Sequence, residues 1–349
     1  MSQFQYPPVD AVEVHRAVEV HRAVEILRAG GLVAIPTETV YGLAADADNE
    51  KAVMATFAVK GRPTNHPLIV HVASADALSA WARVVPPEAR LLAEKFWPGP
   101  LTMVLPKSER CQGFVTGGQD SVAIRCPSHP WMQALLKEFA GNNFRAVTAP
   151  SCNTFGRISP TSAQHVADDL GVKPTGKLDM ILDGGVCEVG VESTILNLSG
   201  DRPEILRHGA VTREMLEAVL GVPVPDAGSN APRASGRLKS HYAPKTKVRL
   251  LAADAIEATL RNDKHLAAAL MVTKATQKKL ADSGLLTSDR PVITAPETEA
   301  AYAHELYDNL HRLDAFGADV ILIECPPTSP DWAAVNDRLG RAAAEKDKA

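Results

Sequence analysis

The 349-residue chain predicts an α/β protein in two parts joined by a linker. Three observations carry this reading. Over the first 221 residues, short apolar runs such as LVAIP (32–36) and SVAIRCP (121–127) alternate with longer amphipathic stretches, as buried strands and surface helices do. Residues 222–246, VPVPDAGSNAPRASGRLKSHYAPKT, are rich in Pro, Gly, Ser and Ala and poor in apolar residues, which marks a linker. Beyond them strand and helix patterns alternate plainly, which argues a small parallel-sheet domain over 247–349.

The elements follow in order. Residues 11–29 carry the hexapeptide EVHRAV twice, then the variant EILRAG; they mix charged and apolar residues as a surface helix does, and Gly30-Gly31 stops it. A repeat of six does not match the helical period, so the copies present different faces. LVAIP is a strand ended by Pro36, and TETVYGLAADA (37–47) is a hydroxyl-rich loop leading to a second apolar piece. Residues 49–60 are helical, PLIVHVA (67–73) is a strand, and 75–95 give one or two helices. PGPLTMVLP (98–106) and SVAIRCP are strands, and HPWMQALLKEFA (129–140) is an amphipathic helix. Residues 146–166 run from strand through a Ser, Thr, Asn and Gly-rich loop into a helix; 179–185, 192–199 and 204–209 are short strands; 211–221 is a helix. After the linker, the strands KVRLLAA, LAAALMVT, PVITAP and ADVILIECP are interleaved with helices near 254–262, 274–283, 298–316 and 331–346.

Composition narrows the class. Hydrophobic residues make up 45% and charged residues 22%, which suits a folded globular chain rather than a disordered one. A net charge of -4 argues against a generally basic nucleic-acid coat but leaves room for a local basic groove. The five cysteines are scattered with no C-x-x-C pair, so a disulfide framework or zinc site is not expected and a reducing cytoplasm fits. The start of the chain lacks a cationic apolar leader, and no apolar run reaches membrane-spanning length.

No Walker A motif is present, and the tail has no G-x-G-x-x-G opening a helix after a strand. Chemistry is sought instead at strand ends. The Pro36–Gly42 loop offers hydroxyls and Glu38 to a small polar molecule, or is an ordinary turn. Lys60 and Arg62 suit phosphates, one as a point charge and one as a fork, or lie on a solvated helix end. His66 and His71 bracket PLIV on opposite strand faces, so they do not share a metal; His71 reads by itself as a core histidine. His15 and His21 read as solvated helix residues rather than metal ligands. Arg125 ends an apolar strand and needs either a ligand carboxylate or an internal acid. Ser151, Asn153 and Ser159 precede a helix, where they hold an anion at its N-terminus, or Ser159 or Thr161 caps the helix.

PTETVYGLAADA, KGRPTNHPLIVH, SVAIRCP, APSCNTFGRISPT, ESTILNL and ILRHG occur in this order. Together they resemble the YrdC/Sua5 family of L-threonylcarbamoyladenylate synthases over about residues 20–220. RASGRLKSHYAPKT and the tail resemble the longer, Sua5-type members. The resemblance implies a twisted α/β catalytic domain with a concave basic cavity (1–221), a linker or flap (222–246) and a small Rossmann-like parallel α/β domain (247–349). It implies that L-threonine, bicarbonate and ATP give threonylcarbamoyl-AMP and pyrophosphate for the t6A modification at position 37 of tRNA. The product would pass to a tRNA threonylcarbamoyltransferase machinery, with at most weak RNA contact, in the cytoplasm.

By motif, Thr37 and Thr39 should meet threonine, as should Ser193, His71 and Arg125, the last through the threonine carboxylate. Lys60 and Arg62 should be catalytic on the ATP phosphates, with His66 nearby. Ser121, Ser151, Asn153, Ser159 and Arg207 should line the nucleotide, and His241-Tyr242 should reach it from the flap. Mg2+ is expected to arrive with ATP, since no carboxylate cluster is read for a protein-held metal. Two departures stand out: His66 occupies a position where many members carry Asn, and the flap motif reads Ala234-Ser235-Gly236 where Ser-Pro-Gly is frequent. The competing reading is a non-catalytic module that binds double-stranded RNA or tRNA by its phosphates.

Overall fold

The apolar runs become strands buried on both faces, which is why they read as near-continuous hydrophobic stretches. The structure, a computed structural model, describes residues 11–288 and 290–344, with side chains from residue 16. Its helices are α1 (Ala11–Arg28), α2 (Glu50–Lys60), α3 (Leu78–Trp81), α4 (Pro87–Phe96), α5 (Gly113–Thr116), α6 (Pro130–Ala140), α7 (Ala163–Asp169), α8 (Arg213–Leu220), α9 (Ala253–Asn262), α10 (Lys274–Asp282), α11 (Glu299–Ala315) and α12 (Ala333–Ala343). Its strands are β1 (Val33–Ile35), β2 (Gly42–Asp46), β3 (Ile69–His71), β4 (Leu101–Pro106), β5 (Ser121–Arg125), β6 (Val147–Thr148), β7 (Met180–Ile181), β8 (Thr194–Asn197), β9 (Glu204–Arg207), β10 (Lys247–Leu251), β11 (Ala268–Val272), β12 (Val292–Thr294) and β13 (Val320–Glu324).

The first nine strands form one mixed sheet in the order β7-β1-β2-β6-β3-β5-β4-β8-β9. The other four form a parallel sheet in the order β10-β13-β11-β12. The two-part α/β architecture read from the sequence is therefore present. Prolines set several boundaries. Residues 98–100 (Pro-Gly-Pro) stay outside β4, because a proline cannot donate to the ladder, and Pro86-Pro87 divides 75–95 into α3 and α4. Of 179–185 only Met180–Ile181 pairs as a strand. The repeat-bearing α1 buries Val20, Ala23, Val24 and Leu27 against α6, and these positions keep the helical period. His21 bonds Glu138 at 2.7 Å, while the side chain of His15 lies outside the described residues, as do the chain start before residue 11 and the last residues of the helix read to 346.

Register decides where the site forms. His71 on β3 sits opposite Arg125 on β5, which sits opposite Thr102 on β4; the row continues through Ile195 on β8 to Arg207 on β9. Directly opposed residues share a face, so this row places His71, Arg125 and Arg207 on one side of the sheet. The opposite face carries Val70, Ile124 and Met103 into a core with Phe57, Trp81 and Leu92. Ile195 of that row joins Ile69, Val104 and Leu206 in a small apolar floor, covered by Ala227, Ala231 and Ala234 of the linker.

The linker is thus a strap laid over the sheet. Ile205 anchors it by backbone bonds, its N–H donating to Pro225 O (2.8 Å) and its carbonyl accepting from Ala227 N (2.9 Å). Arg233 is held by Gln119 and by Gly117 O. α8 and Val224 pack into the first domain's core.

Candidate active site

Arg125 is 4% exposed and has three sets of neighbours. Its Nη1 donates to Thr39 Oγ1 at 2.9 Å and its Nε to Gly99 O at 3.3 Å. Its Nη2 lies 2.8 Å from Glu38 Oε1 but makes no directed hydrogen bond, so the contact neutralises charge and leaves donor capacity. Both partners come from the hydroxyl loop. Thr37 Oγ1 donates to Val40 O at 2.6 Å and accepts from the N–H groups of Thr39 and Val40, a local turn that fixes the loop. Thr39 is consequently the hydroxyl on the cavity wall, and Thr37 shapes the loop behind it.

Arg207 donates from Nε to Ser193 O (3.0 Å), from Nη2 to Ser193 Oγ (3.1 Å) and from Nη1 to Ser235 O (3.2 Å). Ser193 Oγ also lies 2.8 Å from Thr102 Oγ1. Arg62 donates from Nη2 to Pro67 O (2.8 Å) and Ser235 Oγ (3.0 Å), and its guanidinium lies 5.7 Å from the centre of the Phe155 ring. Burial pulls Arg62 down to about 10, so it remains a cation at neutral pH. Ser235, in the motif Ala234-Ser235-Gly236, therefore ties the strap to both arginines.

Lys60 is the last residue of α2, which Asn49 caps (Oδ1 accepting from Ala52 N) and Gly61 ends at φ +64°. Its Nζ is spent on Ser151 O, Asn153 O (2.7 Å) and Asn153 Oδ1 (3.3 Å). Burial and Arg62 lower Lys60 to about 7, yet three oxygen acceptors match only the three donors of the ammonium form. Lys60 thus stands behind the cavity wall and anchors the 151–153 loop, of which Ser151 faces the cavity. The Asn153 amide is satisfied inside that loop by Thr154 O and Arg157 O. Ser121 starts β5, roughly 13 Å along the strand from Arg125.

His71 is buried, with Nδ1 3.1 Å from Ile69 O; burial and Arg125 push it down to about 3, so it is neutral. His241 is pushed to about 3 by burial, and Tyr242 is held at φ +60° with burial raising its pKa. Three buried polar atoms around the cavity have no partner in the protein: Arg62 Nε, His241 Nδ1 and the Tyr242 hydroxyl. Such atoms cost stability unless something polar meets them, which marks a ligand-facing surface. A second, outer cavity of about 300 Å³ opens beyond, lined by Arg62, His66, Phe155, Arg233 and Arg237. His66 stands there with its ring edge-on to Phe155 at 5.4 Å.

The sequence did not single out Glu192, Phe155, Tyr307 or Arg338. Glu192 is 6% exposed on the inner cavity, and its Oε1 accepts from Ser159 at 2.6 Å. Its Oε2 accepts from Tyr307 (2.9 Å) and Arg338 (2.8 Å) of the C-terminal domain. Arg338 and Arg207 hold the carboxyl down to about 2 against its burial. A charge beside the apolar run STILNL was the available signal for Glu192. For Arg338 there was none, since an arginine on an amphipathic helix reads as surface. Burial pushes the thiols of Cys111, Cys152 and Cys187 up to about 12 and Cys126 to about 11, which removes them as nucleophiles. Among the described residues no group of three His, Cys, Asp or Glu could hold a metal ion, and Glu38 and Glu192 are committed to arginines. No helix among the described residues is long and apolar enough to cross a membrane.

Comparison with known proteins finds relatives of the same fold. The family model for Sua5, YciO and YrdC, described as telomere recombination, matches residues 25–209. A second, described as the C-terminal domain of threonylcarbamoyl-AMP synthase, matches residues 211–344. The chain belongs to the Sua5/YciO/YrdC family. Among its Sua5 relatives, the threonylcarbamoyl-AMP synthase of Pyrococcus abyssi is 40% identical over 90% of this chain and 91% of its own. That of Bacillus subtilis is 36% identical, covering 89% of each. The crystal structure of P. abyssi Sua5 complexed with L-threonine superposes with a TM-score of 0.83 at 36% identity, covering 94% of both chains. The Sua5 tail model begins at 211, so α8 falls within its sequence span while its side chains pack into the first core.

Proposed function

We propose that this chain is a threonylcarbamoyl-AMP synthase that condenses L-threonine, bicarbonate and ATP, releasing pyrophosphate. One observation carries the reading: a single strap-covered cavity holds Arg125, Thr39 and Ser193 on one wall and the cations Arg62 and Arg207 beside them. The first set suits an α-amino acid. Arg125 Nη2 has a donor to give its carboxylate, and the Thr39 and Ser193 hydroxyls suit its polar groups. The second set suits polyphosphate, with the Arg62 Nε unspent and His241 and Tyr242 facing it from the strap.

The chemistry follows from placement. The threonine amine adds to bound CO2 with loss of a proton, or to bicarbonate with loss of water, to give N-carboxythreonine. The new carboxylate attacks the α-phosphorus of ATP, the bond to the β-phosphate oxygen breaks, and pyrophosphate leaves. The bond made transfers an adenylyl group, so the enzyme acts as a nucleotidyltransferase. No covalent enzyme nucleophile is required, in keeping with the inert thiols. The residues align the reactants and stabilise charge: neutral His71 adds no cation beside an amine that must shed its proton, and Arg62 and Arg207 meet negative charge at phosphorus. The strap keeps water from a labile mixed anhydride. Mg2+ would arrive with ATP, bound to its phosphates. The product would be handed to tRNA threonylcarbamoyltransferase machinery in the cytoplasm.

The test is pyrophosphate release with ATP, bicarbonate and single amino acids. Release that depends on threonine is expected; none with any amino acid, together with salt-sensitive RNA binding, would overturn the reading.

A further inference from the structure

The C-terminal domain reaches the cavity residue Glu192 through Tyr307 and Arg338, and Arg338 makes the wider set of contacts. Arg338 on α12 is 0% exposed although it belongs to the other domain. Its Nε donates to Glu192 Oε2 at 2.8 Å and its Nη2 to Glu192 O at 3.4 Å. Its Nη1 donates to His208 O at 2.9 Å and to Asp337 Oδ2 at 2.8 Å. Its guanidinium carbon lies 5.3 Å from the centre of the Tyr242 ring. Glu192 precedes Ser193, and His208 follows Arg207, so Arg338 grips the chain neighbours of two cavity residues. It also lies against the strap residue Tyr242, which holds a left-handed backbone conformation that a non-glycine residue keeps only under surrounding constraint. One buried guanidinium therefore ties together three segments that close the cavity.

We propose that Arg338 is a positioning residue for the synthase reaction: by fixing Glu192, His208 and Tyr242 at once, it makes the C-terminal domain part of the active site. This rests on the functional reading above. A guanidinium is suited to the task because its planar fork serves several acceptors in fixed directions, which a lysine does not. Tyr307 supports the arrangement from α11 by its bond to Glu192 and its ring beside Tyr242. The titratable and charged groups facing Glu192 are Arg338 from α12, Tyr307 from α11, Arg207 from β9, Lys60 from α2, and His241 and Tyr242 from the strap, while Asp337 bonds Arg338. Among the cations, only Arg338 bonds the carboxylate. Its loss leaves a buried carboxylate short of its counter-charge, so Glu192 would take up a proton at higher pH than in the parent.

The experiment compares full-length parent, Arg338→Lys, Arg338→Met and Arg290→Met. Arg290 is a buried arginine of the same domain that bonds Leu285, Lys264 and Leu266 carbonyls, so its loss reports damage to that domain alone. Threonine-dependent pyrophosphate release is followed from pH 5 to 9, with the folded fraction taken from thermal melts. Both Arg338 variants are expected to lose roughly tenfold or more in kcat per folded molecule; in Arg338→Met, which also removes the counter-charge, Glu192 protonates at higher pH and an acid limb absent from the parent enters the measured range. Arg290→Met keeps the parent's kcat and pH profile. Limited proteolysis within 222–246 is expected to run faster in the Arg338 variants only, whether or not turnover occurs. Arg338 variants with the parent's kcat, pH profile and cleavage rate would overturn the positioning role. A parent without threonine-dependent release would instead remove the functional reading, and proteolysis would then decide the positioning role.

Discussion

Arg62 keeps a buried, unpartnered Nε toward the cavity while Pro67 and Ser235 orient its fork, so it is shaped for a ligand rather than for internal stability. Arg62→Ala is expected to cut ATP-to-pyrophosphate turnover at least tenfold, about 1.4 kcal/mol of barrier; parental turnover in steady-state assays would refute its role. Lys60 differs from its neighbour two residues away. It was legible as a cation at a strand mouth, but only the folded loop shows its donors turned inward on Ser151 and Asn153. Lys60→Ala strips three buried oxygens of their donor and is expected to cost about 3 kcal/mol of stability in urea denaturation, with turnover falling at least about tenfold. A variant as stable as the parent would show that these oxygens find other donors. For Arg125 the sequence demanded an acid or a ligand carboxylate. The fold supplies Glu38 as the first and leaves Nη2 for the second.

The strap is the element on which sequence and structure differ most. Its composition reads as a flexible linker, yet it lies seated on the sheet through alanines, backbone bonds and Ser235. Gly236 explains part of the fit: it sits at φ +80°, and a Cβ there would lie 2.2 Å from the Tyr242 hydroxyl. Gly236→Ala is expected to unseat the strap, raising KM for ATP several-fold and speeding proteolysis within 222–246; unchanged values for both would mean the strap does not report on the cavity. Truncation belongs at the same scale. A chain ending at Gly221 discards Val224, which is fully buried in the first core, whereas one ending after Ala227 keeps it and the pairing with Ile205. The longer truncation is expected to fold with weak activity, and the shorter to melt lower. Full activity in either would rule out a role for the strap and the tail domain.

At the scale of the molecule, burial of basic groups sets the response to acid. His71 and His241 are pushed to about 3, and His311, stacked at 4.0 Å on His165 between the domains, to about 4, from an ordinary value of 6.5. The unfolded chain therefore binds more protons than the folded one below pH 6.5, and stability falls as pH drops through that window toward 3, by about 1.4 kcal/mol per pH unit for each histidine. Glu192 acts further down. Its carboxyl is depressed to about 2 from 4.5, so its contribution is complete above pH 4.5 and is lost as pH falls toward 2. Thermal melts are expected to show a melting temperature that declines steadily below pH 6.5. A flat profile from pH 7 to 4.5 would mean that these histidines take up protons without unfolding.

The sequence by itself determined the two α/β parts, the positions of the strand runs and, through six ordered motifs, the family. These are local properties: apolar periodicity, Gly and Pro punctuation, and short motifs fixed along the chain. Tertiary structure decided which motif residues share a face, because register across β3, β5, β4, β8 and β9 aligns His71, Arg125 and Arg207. It also turned Lys60, Thr37 and Asn153 to supporting the wall while Thr39 and Ser151 face the cavity. Arg338 lies 146 residues from Glu192, and no periodicity or motif spans that separation. Only folding desolvates the two charges together, and that shared burial is what joins the tail domain to the site.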